Sequence, residues 1–279
     1  MKLFLISAAF ALALSTWPAP QAASPPSDVS PHFQSALALE QKGDIDRAID
    51  EYKKAIQETP NHSDSHYNLA RLLATKRDFD GAILQYREAL RVNPDDADVH
   101  NNLGIALKNK GDLDAAASEY QAALRLRPRQ ADAHNNLGNV YYQKKDLKSA
   151  ITEYRAAIES DSSNPQSHMN LGSALDDNGQ TDAAITEYRA AIRLDPNNAQ
   201  AHYNLGIALA KKNDAAGTLA ELRAAEKADP DWPVPHIWLV RLLMNTDPHG
   251  ALEECRIADH LTNDAKIHDL CEKLGAQVK

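Results

Sequence analysis

The chain has 279 residues, a formal net charge of −9, one residue in four charged and 6% aromatic. That balance sets up no positive field to draw in phosphate backbones or anionic lipid, which excludes nucleic-acid and membrane-surface binding as its main work. No β-branched alternation is long enough for a strand, and the wealth of Ala, Leu, Glu, Lys and Arg favours helix.

Residues 1–23 come first, with Lys2, an apolar run from Leu3 to Leu14, and small residues at Ala19, Ala22 and Ala23. This is the pattern of a secretory signal peptide. Its apolar run falls short of the ~20 residues that a spanning helix needs. Gln21 stands where a small residue is wanted, so the cleavage site is blurred. The sequence therefore predicts an exported protein, periplasmic or extracellular, with no membrane insertion after signal removal. Residues 24–28 form a proline-rich leader containing Pro25 and Pro26, which reads as stiff and extended.

From there the chain keeps a beat: His32, His66, His100, His134, His168, His202 and His236 stand 34 residues apart. A fixed interval of this length marks an array of two-helix repeats. The blocks are 29–62, 63–96, 97–130, 131–164, 165–198, 199–232 and a degenerate 233–262. In the third block His100, Leu103, Gly104 and Leu107 fall at i, i+3, i+4 and i+7, and Ala116, Tyr120, Ala123 and Leu124 follow the same pattern. Gly111 and Asp112 break the chain between these two amphipathic helices, and Pro128 ends the second. The fold class predicted is all-α, a solenoid of stacked antiparallel helix pairs.

Leu137-Gly138, Tyr141, Ala150, Tyr154 and Ala157 in the fourth block, with Leu171-Gly172, Ala184, Tyr188, Ala191 and Pro196 in the fifth, resemble the tetratricopeptide repeat (TPR) pattern. The resemblance covers nearly all of the chain after the leader and implies a right-handed superhelix that binds protein or peptide on its concave face. Ser162 replaces the terminal proline of the fourth block, Thr218 and Leu222 depart in the sixth, and Val240 replaces the glycine in the seventh. Residues 263–279 carry Ile267, Leu270, Cys271 and Leu274 on one stripe, as expected of a capping helix.

The histidines share a stripe with the leucine and glycine, so they are read as rings packed between helices. Adjacent repeats are about 8–10 Å or more apart, while a zinc ligand sits about 2 Å from its ion, so no metal is predicted. Rings buried in the neutral form would make the fold sensitive to acid. The recurring Glu51, Glu119, Glu153, Glu187 and Glu221, with Arg87, Arg155, Arg189 and Arg223, read as a solvated face.

Two places after each histidine comes an asparagine: Asn68, Asn102, Asn136, Asn170 and Asn204. This place points about 200° away from the histidine, opposite the apolar stripe, and asparagine is a mediocre helix former. A carboxamide can both donate to and accept from the backbone of an extended peptide, whatever its side chains. The arrangement is similar to the repeat region of O-linked N-acetylglucosamine transferases, where asparagines at this place hold target peptides; no transferase domain follows here. The other reading is a residue copied by duplication. Arg71, Ile105, Asn139, Ser173 and Ile207 share another place on that face and would tune selectivity, while Asp64, Asp98 and Asp132 favour basic or neutral segments. The carboxylate clamp known in this family is absent, its places holding Tyr67, Asn101, Asn135 and Asp132. Trp238 ends the ladder and either stacks on a ligand or packs under the cap.

Cys255 and Cys271 lie symmetrically about a turn near Asn263, and in an exported protein that spacing predicts a disulfide, the alternative being two buried small apolar residues. No phosphate loop, zinc motif or nucleophile elbow occurs in the sequence, so neither catalysis nor a cofactor is predicted. The competing function is a structural or assembly subunit of a cell-envelope complex that uses the convex face or edges.

Overall fold

The computed structural model describes residues 30–278, and every regular element among them is an α-helix. The signal peptide and leader lie outside the described residues. The chain divides into two units at Pro60.

In the first unit, helices α1 (Pro31–Gln41) and α2 (Ile45–Glu58) pair around Phe33 and Tyr52, whose rings meet edge to face at 5.8 Å. Ala36, Ala48 and Ala55 are fully buried beside them. Ser30 caps α1 through its Oγ and donates to Glu58 at 2.5 Å.

The second unit holds α3 (Ser63–Thr75), α4 (Phe79–Val92), α5 (Ala97–Asn109), α6 (Leu113–Leu126), α7 (Ala131–Gln143), α8 (Leu147–Ser160), α9 (Pro165–Asp177), α10 (Thr181–Leu194), α11 (Ala199–Lys211), α12 (Ala215–Ala228), α13 (Pro233–Leu243), α14 (Pro248–Thr262) and α15 (Ala265–Gln277). Each odd helix packs on the even helix after it, and each even helix on the next odd one. The first helices α3, α5, α7, α9 and α11 also touch in succession, which makes a continuous inner face.

The turns inside α3–α4, α5–α6, α7–α8 and α11–α12 share one recipe, whereas in α9–α10 Gln180 follows Gly179 and makes no side-chain cap. A residue with left-handed backbone, such as Gly111 (φ 88°) or Lys145 (φ 63°), reverses the chain. The aspartate after it then caps the second helix: Asp78, Asp112, Asp146 and Asp214 accept from the backbone N–H three residues on. Packing within a pair rests on a glycine–tyrosine contact. Tyr120, Tyr154 and Tyr188 of the second helices are buried against Gly104, Gly138 and Gly172 of the first. A Cβ on those glycines would lie 2.6–2.7 Å from the ring, so the missing side chain is what admits the phenol. Burying a side chain of that size contributes about 1.5–3 kcal/mol.

The C-terminal end departs from this recipe. Leu222 replaces the tyrosine opposite Gly206, and in α13–α14 Val240 and Cys255 replace both partners. Helix α15 packs on α14 and repeats the first-helix pattern, with Ile267, Leu270, Cys271 and Leu274 spaced like His100, Leu103, Gly104 and Leu107. It thus stands against α14 in the place of a first helix. A disulfide joins Cys255 to Cys271, with Cα atoms 5.5 Å apart, and ties this helix to α14.

Candidate functional site

The histidines are structural, with a role that their spacing along one stripe did not disclose. His32, His100, His134, His168 and His202 each place Nδ1 2.6–2.7 Å from a glutamate on the second helix of their own pair: Glu51, Glu119, Glu153, Glu187 and Glu221. His236 meets Glu254 in the same way, and His66 meets Gln85. In four of these rings Nε2 faces the carbonyl of the proline six residues upstream, Pro94, Pro128, Pro196 or Pro230, at 3.0–3.1 Å. The glutamates are therefore not a solvated face; the separation of 19 residues is closed by the turn between helices, which no single helical wheel shows.

At His134 this geometry runs against the acid sensitivity expected of a ring buried in the neutral form. Both nitrogens of His134 face acceptors, and its pKa is raised, first by the hydrogen bond to Glu153 and against the effect of burial. Glu226, His236 and Glu254 cluster closely enough to suggest a cation site. The Arg223 guanidinium already occupies that place, paired with both carboxylates.

The inner face is a network of side chains running from pair to pair. Asn102 Nδ2 donates to the Tyr67 hydroxyl at 3.0 Å, Asn136 to Asn101 Oδ1 at 3.2 Å, and Asn170 to Asn135 Oδ1 at 3.0 Å and to Asn139 Oδ1 at 3.2 Å. Gln166 and Gln200 donate to the Asn170 and Asn204 carbonyls at 2.7 and 2.9 Å. Asn68 and the other four ladder asparagines are half-buried. Each rung from Asn102 to Asn170 thus spends its amide group on the preceding first helix. Sequence reasoning missed Asn101 and Asn135 as the second members of these rungs, although their place beside the ladder was visible. The carbonyls of Asn102 and Asn136 accept no hydrogen bond among the described residues and stay available.

The neighbouring places on this face vary from pair to pair. Asn139 accepts from the Tyr154 hydroxyl at 2.8 Å, while Ile105, one pair earlier, leaves the buried Tyr120 hydroxyl unpaired. Arg71 is exposed beside Tyr67, whose phenol burial pushes above its ordinary range. Tyr142 donates to Asp177 at 2.6 Å, and burial, then this carboxylate, raises its pKa. Asp98 is spent on Arg127 at 2.7 Å, so the expected acidic edge is partly neutralised. Trp238 packs partly buried in the α13–α15 core, with the Arg241 guanidinium 5.6 Å from its ring centre.

Family models described as "Tetratricopeptide repeat" match residues 29–62, 51–83 and 101–165, and one described as "TPR repeat" matches 71–111 and 174–213. Together they cover more than half of the chain. No curated protein matches it. Among solved structures, the chain is similar to the C-terminal part of a TPR repeat-containing protein from Cytophaga hutchinsonii (18% identity, 85% of this chain and 98% of that one, TM-score 0.68). It is similar to PilF of Pseudomonas aeruginosa (19%, 76% and 96%, TM-score 0.66). It is also similar to YrrB, described as a TPR protein with an unusual peptide-binding site (26%, 66% and 95%, TM-score 0.56).

Proposed function

The chain belongs to the tetratricopeptide repeat family, and from that premise we propose that it is an exported scaffold whose inner face holds an extended segment of a partner protein. The fold implies protein–protein interaction, and YrrB, the 26% identical relative, carries a peptide-binding site. The observation that carries the reading is the pair of free carbonyls on Asn102 and Asn136, fixed in place because their own amide groups are anchored to Tyr67 and Asn101. Anchored acceptors on successive first helices, about 10 Å apart, meet an extended backbone at roughly every third residue. The N-terminal segment and the Cys255–Cys271 disulfide both favour an oxidising compartment outside the cytosol. No helix among the described residues is long and apolar enough to cross a membrane.

The competing reading, an assembly subunit that uses its outer surface, draws on Leu84 and Leu194, which are 58% and 43% exposed on second helices. Pull-down with the wild type and with Asn102→Ala/Asn136→Ala separates the two. Loss of the captured partner at an unchanged melting temperature supports the inner face. Undiminished capture, with loss on Leu84→Ser/Leu194→Ser, sinks it.

A further inference from the structure

In the pairs α5–α6, α7–α8 and α9–α10, one tyrosine ring fills the space beside the first helix, and its far end points to the inner face. Tyr154 reaches Asn139 at 2.8 Å and Tyr188 reaches Ser173 at 3.4 Å. In α13–α14 the place of that ring is taken by Cys255, and the place of Asn139 and Ser173 by Arg241. The phenol is gone, and Val240 in place of glycine restores only part of its volume. What remains is an apolar cavity of about 170 Å³, walled by Ile237, Val240, Ile267 and Leu270, with the disulfide-bonded Cys255 at its base. A cavity of roughly 150 Å³ with aliphatic walls is large enough for a benzene-sized group.

Two cations lie at this cavity, Arg241 from α13 and Lys266 from α15, and both are exposed. Arg241 leans over the Trp238 ring, and neither cation forms an ion pair among the described residues. The nearby acids Asp259 and Glu272 line a different notch, with Arg256 and His268. Arg241 and Ile237 occupy the places that hold Asn139 and Asn135 three repeats earlier in the array, so the cavity continues the asparagine face at its C-terminal end.

We propose that this cavity is a receptor for the free C-terminus of a partner chain: an aliphatic terminal side chain enters the space of the missing tyrosine, and the α-carboxylate meets Arg241 and Lys266. The proposal extends the inner-face reading, since the residues before that terminus would run onto the asparagines. It differs from the family's clamp, whose lysines and arginine this chain lacks.

N-acetyl-leucine is the minimal probe, titrated into the ¹⁵N-labelled protein while the Trp238 indole and the Arg241 and Ile267 amides are followed by NMR. A single saturable set of shifts is expected. N-acetyl-leucinamide, and the Lys266→Ala variant with the acid, should bind about 10-fold more weakly, as loss of a charge-assisted contact predicts. Because Lys266 is exposed, its removal does not threaten folding; Val240→Phe, which refills the cavity, should abolish the shifts. Equal binding of acid and amide, or no response at these three positions, overturns the proposal. The inner-face reading is tested separately with a peptide of about fifteen residues ending in leucine, which at ~3.3 Å per residue can span the roughly 40 Å from the cavity back to Asn102. If it binds no tighter than N-acetyl-leucine, the pocket stands and the asparagine grip falls. If its added affinity disappears in Asn102→Ala/Asn136→Ala while the N-acetyl-leucine shifts persist, both hold.

Discussion

Substituting Gly138 by alanine should destabilise the protein, although the same change normally strengthens a helix by about 1 kcal/mol. The new Cβ would lie 2.6 Å from Tyr154 Cε1 and 2.7 Å from Cδ1, well inside the 3.5–4.0 Å of ordinary carbon contact. Tyr154 is 1% exposed and its hydroxyl is tied to Asn139, so the ring has no free direction in which to move. Overpacking of this kind costs about 1–3 kcal/mol; with the ring held in place the upper part of that range, about 2–3 kcal/mol, applies, and subtracting the propensity gain leaves a net loss of about 1–2 kcal/mol. Gly206 supplies the contrast: its nearest atom is Leu222 Cγ at 3.4 Å, so Gly206→Ala should be neutral or stabilising by up to about 1 kcal/mol. Urea unfolding followed by far-UV circular dichroism measures both, through the midpoint at constant slope. In a Tyr154→Leu background the Gly138→Ala penalty should vanish, which a double-mutant cycle isolates. A Gly138→Ala protein as stable as the wild type, or a Gly206→Ala protein equally damaged, would refute the idea that the glycines exist to admit the tyrosine rings.

Ile105→Asn should raise stability by about 1 kcal/mol, because it recreates for the unpaired Tyr120 hydroxyl the partner that Asn139 gives Tyr154; a fall in the urea midpoint would contradict this. His134 has a folded pKa above its unfolded value, so its contribution is complete below about pH 6.5 and is lost as pH rises through the folded pKa. The stability gap between wild type and His134→Gln should therefore narrow from mildly acidic to alkaline pH, and a gap that widens would show the sign to be wrong. Reducing the Cys255–Cys271 disulfide should cost about 3 kcal/mol in the chain-entropy account of a loop this size. Hydrogen exchange should rise first in α15; uniform exchange across the array would mean that the bridge does not fix the end.

The architecture was legible because a repeat writes its rules many times over. The leucine–glycine stripe, the aspartate after most turns and the alanines of the second helix recur until periodicity and capping chemistry leave one solution. The asparagine direction was legible for the same reason, since a helical wheel needs only one helix. Asn101 and Asn135 were passed over because they matter only through Asn136 and Asn170, each 35 residues further on. The glutamates were taken for surface because a wheel drawn for one second helix contains no histidine.

By itself, then, the sequence determined everything that depends on local spacing: fifteen helices' worth of amphipathic pattern, their turns, the face carrying the asparagines and the two cysteines able to meet. The tertiary structure decided which groups are spent and which are free. Six of the seven evenly spaced histidines are spent on a glutamate 18 or 19 residues away and His66 on Gln85, each central asparagine gives its amide group to the preceding repeat, and the space vacated by a missing tyrosine stays open beside Arg241 and Lys266. Those outcomes follow from the distance and angle at which one helix pair meets the next. A hydrogen bond tolerates only a few tenths of an ångström of error, and no periodicity along a single chain carries that information.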